Sequence, residues 1–326
     1  MTTPIVLDFR PHPWFRSGHA QTLAGLFLYA ARHEYRAQRH LVDLDDGDQI
    51  VLHDDRPDRW CDGDRTALLI HGLVGCHRSG YMERIAAKLN RRSVRTFRMD
   101  QRGIGAGAGL AIGPAHAGRS EDATAAVEAI SRLCPHSPTT VIGFSLGGNI
   151  ALRLLAAASR RSIGRLDSGI AVAPPADLAA CSRTMQQGAN RLYNRYFVRK
   201  LHCFYEELQR LRPDAPAVEL TRRVRSIWEF DDRVTAPLSG YQDATDYYRR
   251  ASSGPELAEI RIPTQILAAS DDPLVPLEKI VQYRRSPEVR LNVTPRGGHL
   301  GFLACRRQIA DRRWLDQQVV RWVCEF

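Results

Sequence analysis

From Thr66 to Ala173 the chain alternates short apolar runs with stretches whose apolar residues recur at helical spacing, and few folds accept that rhythm. Thr66 to Ile70, Val94 to Met99, Thr139 to Gly143 and Gly169 to Ala173 read as buried strands; Tyr81 to Leu89, Ser120 to Leu133 and Leu146 to Ala157 read as the helices between them. Strands joined through helices are parallel, so the rhythm predicts an α/β fold with a mostly parallel central sheet flanked by helices. Ahead of it, Leu41 to Leu44 and Gln49 to His53 meet across Asp45-Asp46-Gly47-Asp48 and predict a hairpin. Arg10 to Ala20 reads as loop. Ser120, followed by Glu121 and Asp122, is expected to N-cap its helix.

The rhythm stops at Pro174-Pro175. Ala176 to Ser253 carries no strand signal and is expected to be helical. Strands resume with Pro263 to Ala269 and Val289 to Val293, a short helix starts at Leu277, and an amphipathic helix runs from Asp311 to Val323. The predicted organisation is one core made of residues 1–175 and 256–326, with a helical cap, residues 176–255, inserted after the sixth strand.

With 326 residues, 44% apolar and 25% charged, the chain can bury a large core, which excludes disordered, collagen-like and disulfide-scaffold classes. Its seven cysteines are scattered and form no C-x-x-C pair, so free thiols are expected and no zinc site. Apolar stretches such as Ala24 to Ala31 and Ile150 to Ala158 fall short of the ~20 residues a membrane span needs. The N-terminus lacks the basic start and apolar core of a secretory signal, so a cytoplasmic location is expected. The formal charge is +10, dispersed along the chain and carried by arginines apart from Lys88, Lys200 and Lys279. Without a cluster or a recognisable module, that charge predicts no nucleic-acid partner. Arg191 to Lys200 interleaves arginines with aromatics, which leaves peripheral contact with an anionic membrane surface open.

Chemistry concentrates at Gly143-Phe144-Ser145-Leu146-Gly147, a G-x-S-x-G set between a strand and a helix. At such a sharp turn, side chains at the glycine positions would meet backbone, and the serine hydroxyl is held outward. Ser145 is the predicted nucleophile. It needs a base and an orienting acid, expected in the chain order Ser, Asp, His. Pro263 to Ala269 runs into Ser270-Asp271-Asp272, and Val289 to Val293 runs into Pro295-Arg296-Gly297-Gly298-His299. His299 is the predicted base. Asp272 is the favoured acid by motif register; Asp271 could instead cap the next segment, and Asp177 is a more distant alternative. The backbone N–H groups of Leu73 and Leu146 are the predicted oxyanion donors, with His71 pinning the loop that carries Leu73 and with His77 and His116 structural.

These stretches, together with Pro13 to Leu23, Arg98-Met99-Asp100-Gln101-Arg102-Gly103, Glu229-Phe230-Asp231-Asp232 and Thr235-Ala236-Pro237, make the sequence resemble the α/β-hydrolase superfamily. Within it the likeness is to the YheT-like esterase branch, related to the eukaryotic ABHD1/ABHD3-type lipid hydrolases. The resemblance implies an α/β-hydrolase fold and a serine carboxylic-ester hydrolase with Ser145, Asp272 and His299 at the triad positions. Asp100 and Arg102 match a family pattern and are expected to brace the loop beside the serine; the motif around Trp14 and His19 is expected to pack against the sheet edge.

The expected reaction is cleavage of a short- to medium-chain acyl ester, or an acylglycerol or phospholipid, through an acyl-enzyme. Acyl transfer to another acceptor, thioester or amide cleavage, and a non-catalytic lipid-binding scaffold are the alternatives. Tyr193, Tyr196, Phe197, Phe204, Tyr205, Trp228 and Phe230 supply the cap with aromatic surface. No cofactor or metal is expected: a phosphate-binding G-x-x-x-x-G-K-[ST] is lacking, and Gly103 to Gly109 does not open a helix as a dinucleotide site does.

Overall fold

A computed structural model describes residues 3–28, 36–219 and 223–326. Nine strands, β1 (Ile5–Val6), β2 (Gln38–Asp43), β3 (Gln49–Asp55), β4 (Thr66–Ile70), β5 (Arg95–Asp100), β6 (Thr139–Phe144), β7 (Leu166–Val172), β8 (Thr264–Ala269) and β9 (Val289–Thr294), form one sheet in the order β1-β9-β8-β7-β6-β4-β5-β3-β2. Only β3 runs antiparallel to its neighbours β2 and β5; every other pairing is parallel. The run Thr66-Ala67-Leu68-Leu69-Ile70 is buried on both faces, as a central parallel strand must be. Its side chains alternate: Leu68 and Ile70 join one core layer, Ala67 and Leu69 the other.

Helices α1 (Gly18–Phe27), α2 (Gly80–Asn90), α3 (Ser120–Leu133) and α4 (Leu146–Arg160) lie between these strands in the chain. The α3 and α4 residues Val127, Ile130, Ile150 and Leu154 cover one face of the sheet. On the other face lie Met82, Ile85 and Leu89 of α2 beside Leu315, Val319 and Trp322 of the terminal helix Trp314–Glu325. From β4 the chain moves to β5 on one side and then returns to place β6 on the other. The loops leaving β4 and β6 therefore diverge, and the crevice between them is where ligands of open α/β sheets bind.

Between β7 and β8 the described residues contain helices and turns and no strand. They include α5 (Leu178–Met185), α6 (Arg191–Leu211), a π-helical turn Asp231–Thr235 and the helix Ala244–Ala251. Three readings are corrected. The loop predicted to extend to Ala20 ends earlier, because Ser17 accepts the Ala20 N–H and starts α1 at Gly18. The cap of α3 is Arg119, the last residue outside helical geometry, and Ser120 is already in the first turn. β1, too short to carry a period, makes β7 the seventh strand among the described residues, so the helical insertion follows the seventh strand and not the sixth. The stretch Ala24 to Ala31 lies partly outside the described residues. Among those described, no helix is long and apolar enough to cross a membrane, and all seven cysteines are free.

Candidate active site

Ser145 follows β6 with φ 51° and ψ −120°, a left-handed conformation that costs about 1–3 kcal/mol in a residue with a Cβ. Its surroundings enforce the turn. A Cβ on Gly143 would lie 2.1 Å from the Gly147 carbonyl oxygen, and one on Gly147 would lie 2.3 Å from that of Ile70, so only glycine fits at either place. The Ser145 N–H donates to Val172 O at 2.8 Å, and its carbonyl accepts the Gly148 N–H at 2.8 Å, which anchors the serine between β7 and the first turn of α4.

Against this serine stands His299, from the loop after β9. Its Nε2 lies 2.8 Å from Ser145 Oγ, and its Nδ1 lies 2.9 Å from Asp272 Oδ2. Asp272 follows β8, and its other oxygen accepts the N–H groups of Leu274 and Val275 at 2.8 and 3.0 Å, so both carboxylate oxygens are committed. Asp271 points elsewhere: its Oδ1 accepts the Gly298 N–H at 2.9 Å, and burial pushes its pKa up. Asp177 caps α5 through the Ala180 N–H.

Leu73 follows β4. Its loop is held by the buried His71, whose Nδ1 lies 2.9 Å from Gly72 O, and by the Gly72 N–H, which donates to the Tyr81 hydroxyl at 3.0 Å. Leu146 opens α4, where the first N–H groups have no acceptor within the helix. Leu73, Leu146, Ser145 and His299 line a partly open chamber together with Met185, Phe197 and Leu201. A second chamber opens from Leu73, Ser145 and His299 towards α1 and the start of α6.

Sequence reasoning missed the groups that hold His299 in place. Thr22 Oγ1 accepts the His299 N–H at 2.9 Å and donates to Gly18 O at 2.7 Å. Gln21 bonds to both backbone groups of Leu303. The motif from Pro13 to Leu23 therefore clamps the histidine loop. Trp14 corrects the expectation of edge packing: it is 84% exposed, projecting from a turn in which its own N–H donates to the His12 ring at 3.3 Å. His19 instead stacks on Tyr193 of α6, with its Nδ1 3.1 Å from the tyrosine oxygen.

Asp100 and Arg102 bond to the fold. Asp100 receives His53 Nε2 at 3.1 Å, His77 Nδ1 at 2.6 Å and the Ala106 N–H at 2.8 Å on one oxygen, and the His77 N–H at 2.6 Å on the other. Arg102 forks onto Asp122 at 2.8 Å and reaches Asp46 and Asp48 at 2.6 Å. Among the described residues His53, His77 and Asp100 are the one group with the donor types and spacing for a metal ion. Both rings, however, already spend a nitrogen on the same Asp100 oxygen, and they stack with centroids 3.5 Å apart. His116 is deeply buried, which lowers its pKa well below the ordinary value. Asp231, in the π-helical turn, has only neutral partners, Tyr248 at 2.6 Å and Thr235 at 2.7 Å; burial outweighs both bonds and pushes its pKa up to about 6.

A strand-to-helix serine turn on a mostly parallel sheet defines the α/β-hydrolase class, and the sequence belongs to the alpha/beta hydrolase fold family, which it matches over residues 67–304. Relatives place the chain more finely. It is 30% identical to “Putative esterase YheT” of Escherichia coli K12, covering 98% of this chain and 94% of that one. It is 27% identical to human “Phospholipase ABHD3”, over 92% of this chain and 75% of the relative. In structure it resembles the Pyrococcus furiosus esterase Pf2001, with a TM-score of 0.57 at 17% identity over 90% of this chain and 91% of that one, a likeness of fold. The class marked out is that of a carboxylic ester hydrolase.

Proposed function

We propose that the protein is a serine hydrolase that cleaves acyl esters through Ser145, His299 and Asp272. The observation that carries this reading is the bridging imidazole, 2.8 Å from the serine oxygen and 2.9 Å from the carboxylate. His299 takes the Ser145 proton as Oγ attacks the ester carbonyl. The tetrahedral oxygen is held by the Leu73 and Leu146 N–H groups, each worth about 3 kcal/mol in the transition state. Collapse expels the alcohol, which takes the proton from His299; water, activated by the same imidazole, then releases the acid and restores the serine. Asp272 fixes the tautomer of His299 and stabilises the imidazolium without taking the proton.

Substrate choice falls to the helical insertion. Residues 1–175 and 256–326 would act as the catalytic core and residues 176–255 as a cap, with Met185, Phe197, Leu201 and Ile227 giving one chamber an apolar wall. That wall suits a short- to medium-chain acyl group, of a simple ester or of an acylglycerol or phospholipid. Ser145→Ala should lower turnover of a p-nitrophenyl acyl ester by about 10⁴-fold or more and abolish labelling by a fluorophosphonate, with the circular dichroism spectrum unchanged. Turnover at the native level in that variant would overturn the reading.

A further inference from the structure

The chamber that opens towards α1 has an unusual rim. Leu26 of α1 and Tyr196 of α6 line it, and His19 of α1 is stacked on Tyr193 of α6, so the two helices border one mouth. On α1, Leu23, Leu26 and Phe27 share a face at helical spacing, and all three are exposed, Phe27 by 71%. On α6, Leu192, Arg195, Tyr196 and Arg199 share another exposed face, with Leu192 68% exposed, while Asn194 and Val198 are buried on the opposite side. Apolar side chains exposed in such a cluster mark an interaction surface.

Charge selects the partner. No acidic residue occurs from Phe9 to Leu28 or from Leu178 to Tyr205, whereas the first half of α6, beside the chamber, carries the exposed cations Arg191, Arg195, Arg199 and Lys200. Two copies of such a face would repel each other. Long cationic side chains flanking leucine, phenylalanine and tyrosine are the pattern of a helix lying in the headgroup region, with apolar groups dipping among acyl chains and guanidinium groups on phosphates.

We propose that the α1–α6 rim docks on an anionic lipid bilayer and holds the mouth of the Ser145 chamber against it. An acyl chain leaving the bilayer would then enter along Leu26 and Tyr196 without crossing water. The docking does not require the ester-hydrolase reading, since vesicle binding and turnover of a water-soluble ester are measured separately.

The test is co-sedimentation of the full chain with vesicles of phosphatidylcholine alone, or of phosphatidylcholine and phosphatidylglycerol in equal parts. The native protein should sediment with the mixed vesicles at low salt, be released by added salt, and bind pure phosphatidylcholine far more weakly. Arg195→Gln with Arg199→Gln should weaken partition about thirtyfold. Phe27→Ser with Leu192→Ser should weaken it as well. Both variants should turn over a soluble ester as the native protein does. Native protein left in the supernatant, equal binding to neutral vesicles, or variants that bind like the native chain would each overturn the proposal. So would a stable dimer that fails to bind vesicles, which would assign the face to a second copy.

Discussion

Imidazoles meet carboxylates at the His299–Asp272 pair and at the His53–His77–Asp100 cluster, and of these two only the first faces open space. In the His299–Asp272 pair, one ring nitrogen is spent on the carboxylate and the other lies against Ser145 Oγ at the wall of two chambers. In the other assembly, His53 and His77 both turn a nitrogen onto Asp100, two backbone N–H groups complete the carboxylate, and all three side chains are buried. Burial alone would raise the Asp100 pKa; the hydrogen bonds from His53 and His77 outweigh it and hold the carboxyl far below its ordinary range. The groups are alike. What separates them is whether an imidazole nitrogen is left facing a hydroxyl beside a chamber, and that depends on loop placement and not on residue type.

Removing the carboxylate charge from each assembly should give opposite results. Asp272→Asn is expected to lower kcat for a soluble ester by about 10⁴-fold, because the imidazole loses its fixed tautomer, with little change in melting temperature. Asp100→Asn should leave kcat per folded molecule unchanged and destabilise the fold by about 3 kcal/mol, because buried N–H donors lose a charged acceptor, as read by urea unfolding. Loss of turnover at native stability in the Asp100 variant would erase the contrast.

A buried carboxylate need not stabilise the fold, and pH separates the two kinds. Asp100 has a folded pKa below its unfolded one, so its contribution is present above about pH 4 and is lost as pH falls further. Asp231 has the opposite sign. With a folded pKa of about 6 it favours the protonated form, so stability falls as pH rises from the unfolded pKa through that value. Relative to the native chain, Asp231→Asn should therefore gain up to about 3 kcal/mol on going from pH 4 to above pH 7, measured by denaturant titration at each pH. A constant difference across that range would show that the Asp231 carboxyl does not titrate between the two states.

The Ser145–His299–Asp272 half of this contrast is more legible in the sequence than the buried half. Gly143, Ser145 and Gly147 advertise their turn because steric exclusion acts within five residues, and Asp272 and His299 sit where β8 and β9 end. Asp100 was read only as a brace, since nothing local shows that His53 and His77 converge on it from another strand and another loop. β1 was invisible for the same reason: Ile5 and Val6 become a strand only by pairing with Asn292 and Val293. α1 begins inside a stretch read as loop because Gly18 and His19 are weak helix formers, and its first turn is fixed by the Ser17 side chain. Local chemistry could be read directly; contacts between distant segments could not.

Thr22 is such a distant contact, and the smallest expected effect belongs to it. Its hydroxyl accepts the His299 N–H from a helix 277 residues away in the chain. Thr22→Val keeps the shape but removes that acceptor, leaving an N–H with no partner, a change worth about 1 kcal/mol. If that loss appears as misplacement of the imidazole, kcat for a soluble ester should fall about fivefold, and Thr22→Ser should restore it. The Asp100 assembly does not touch this clamp, so the Asp100→Asn stability difference should be the same in the Thr22→Val background, as expected for independent sites. A fall in melting temperature with native kcat would make Thr22 a support of the fold alone. A lower kcat with native stability would make it a positioning residue for the imidazole that faces the Ser145 hydroxyl.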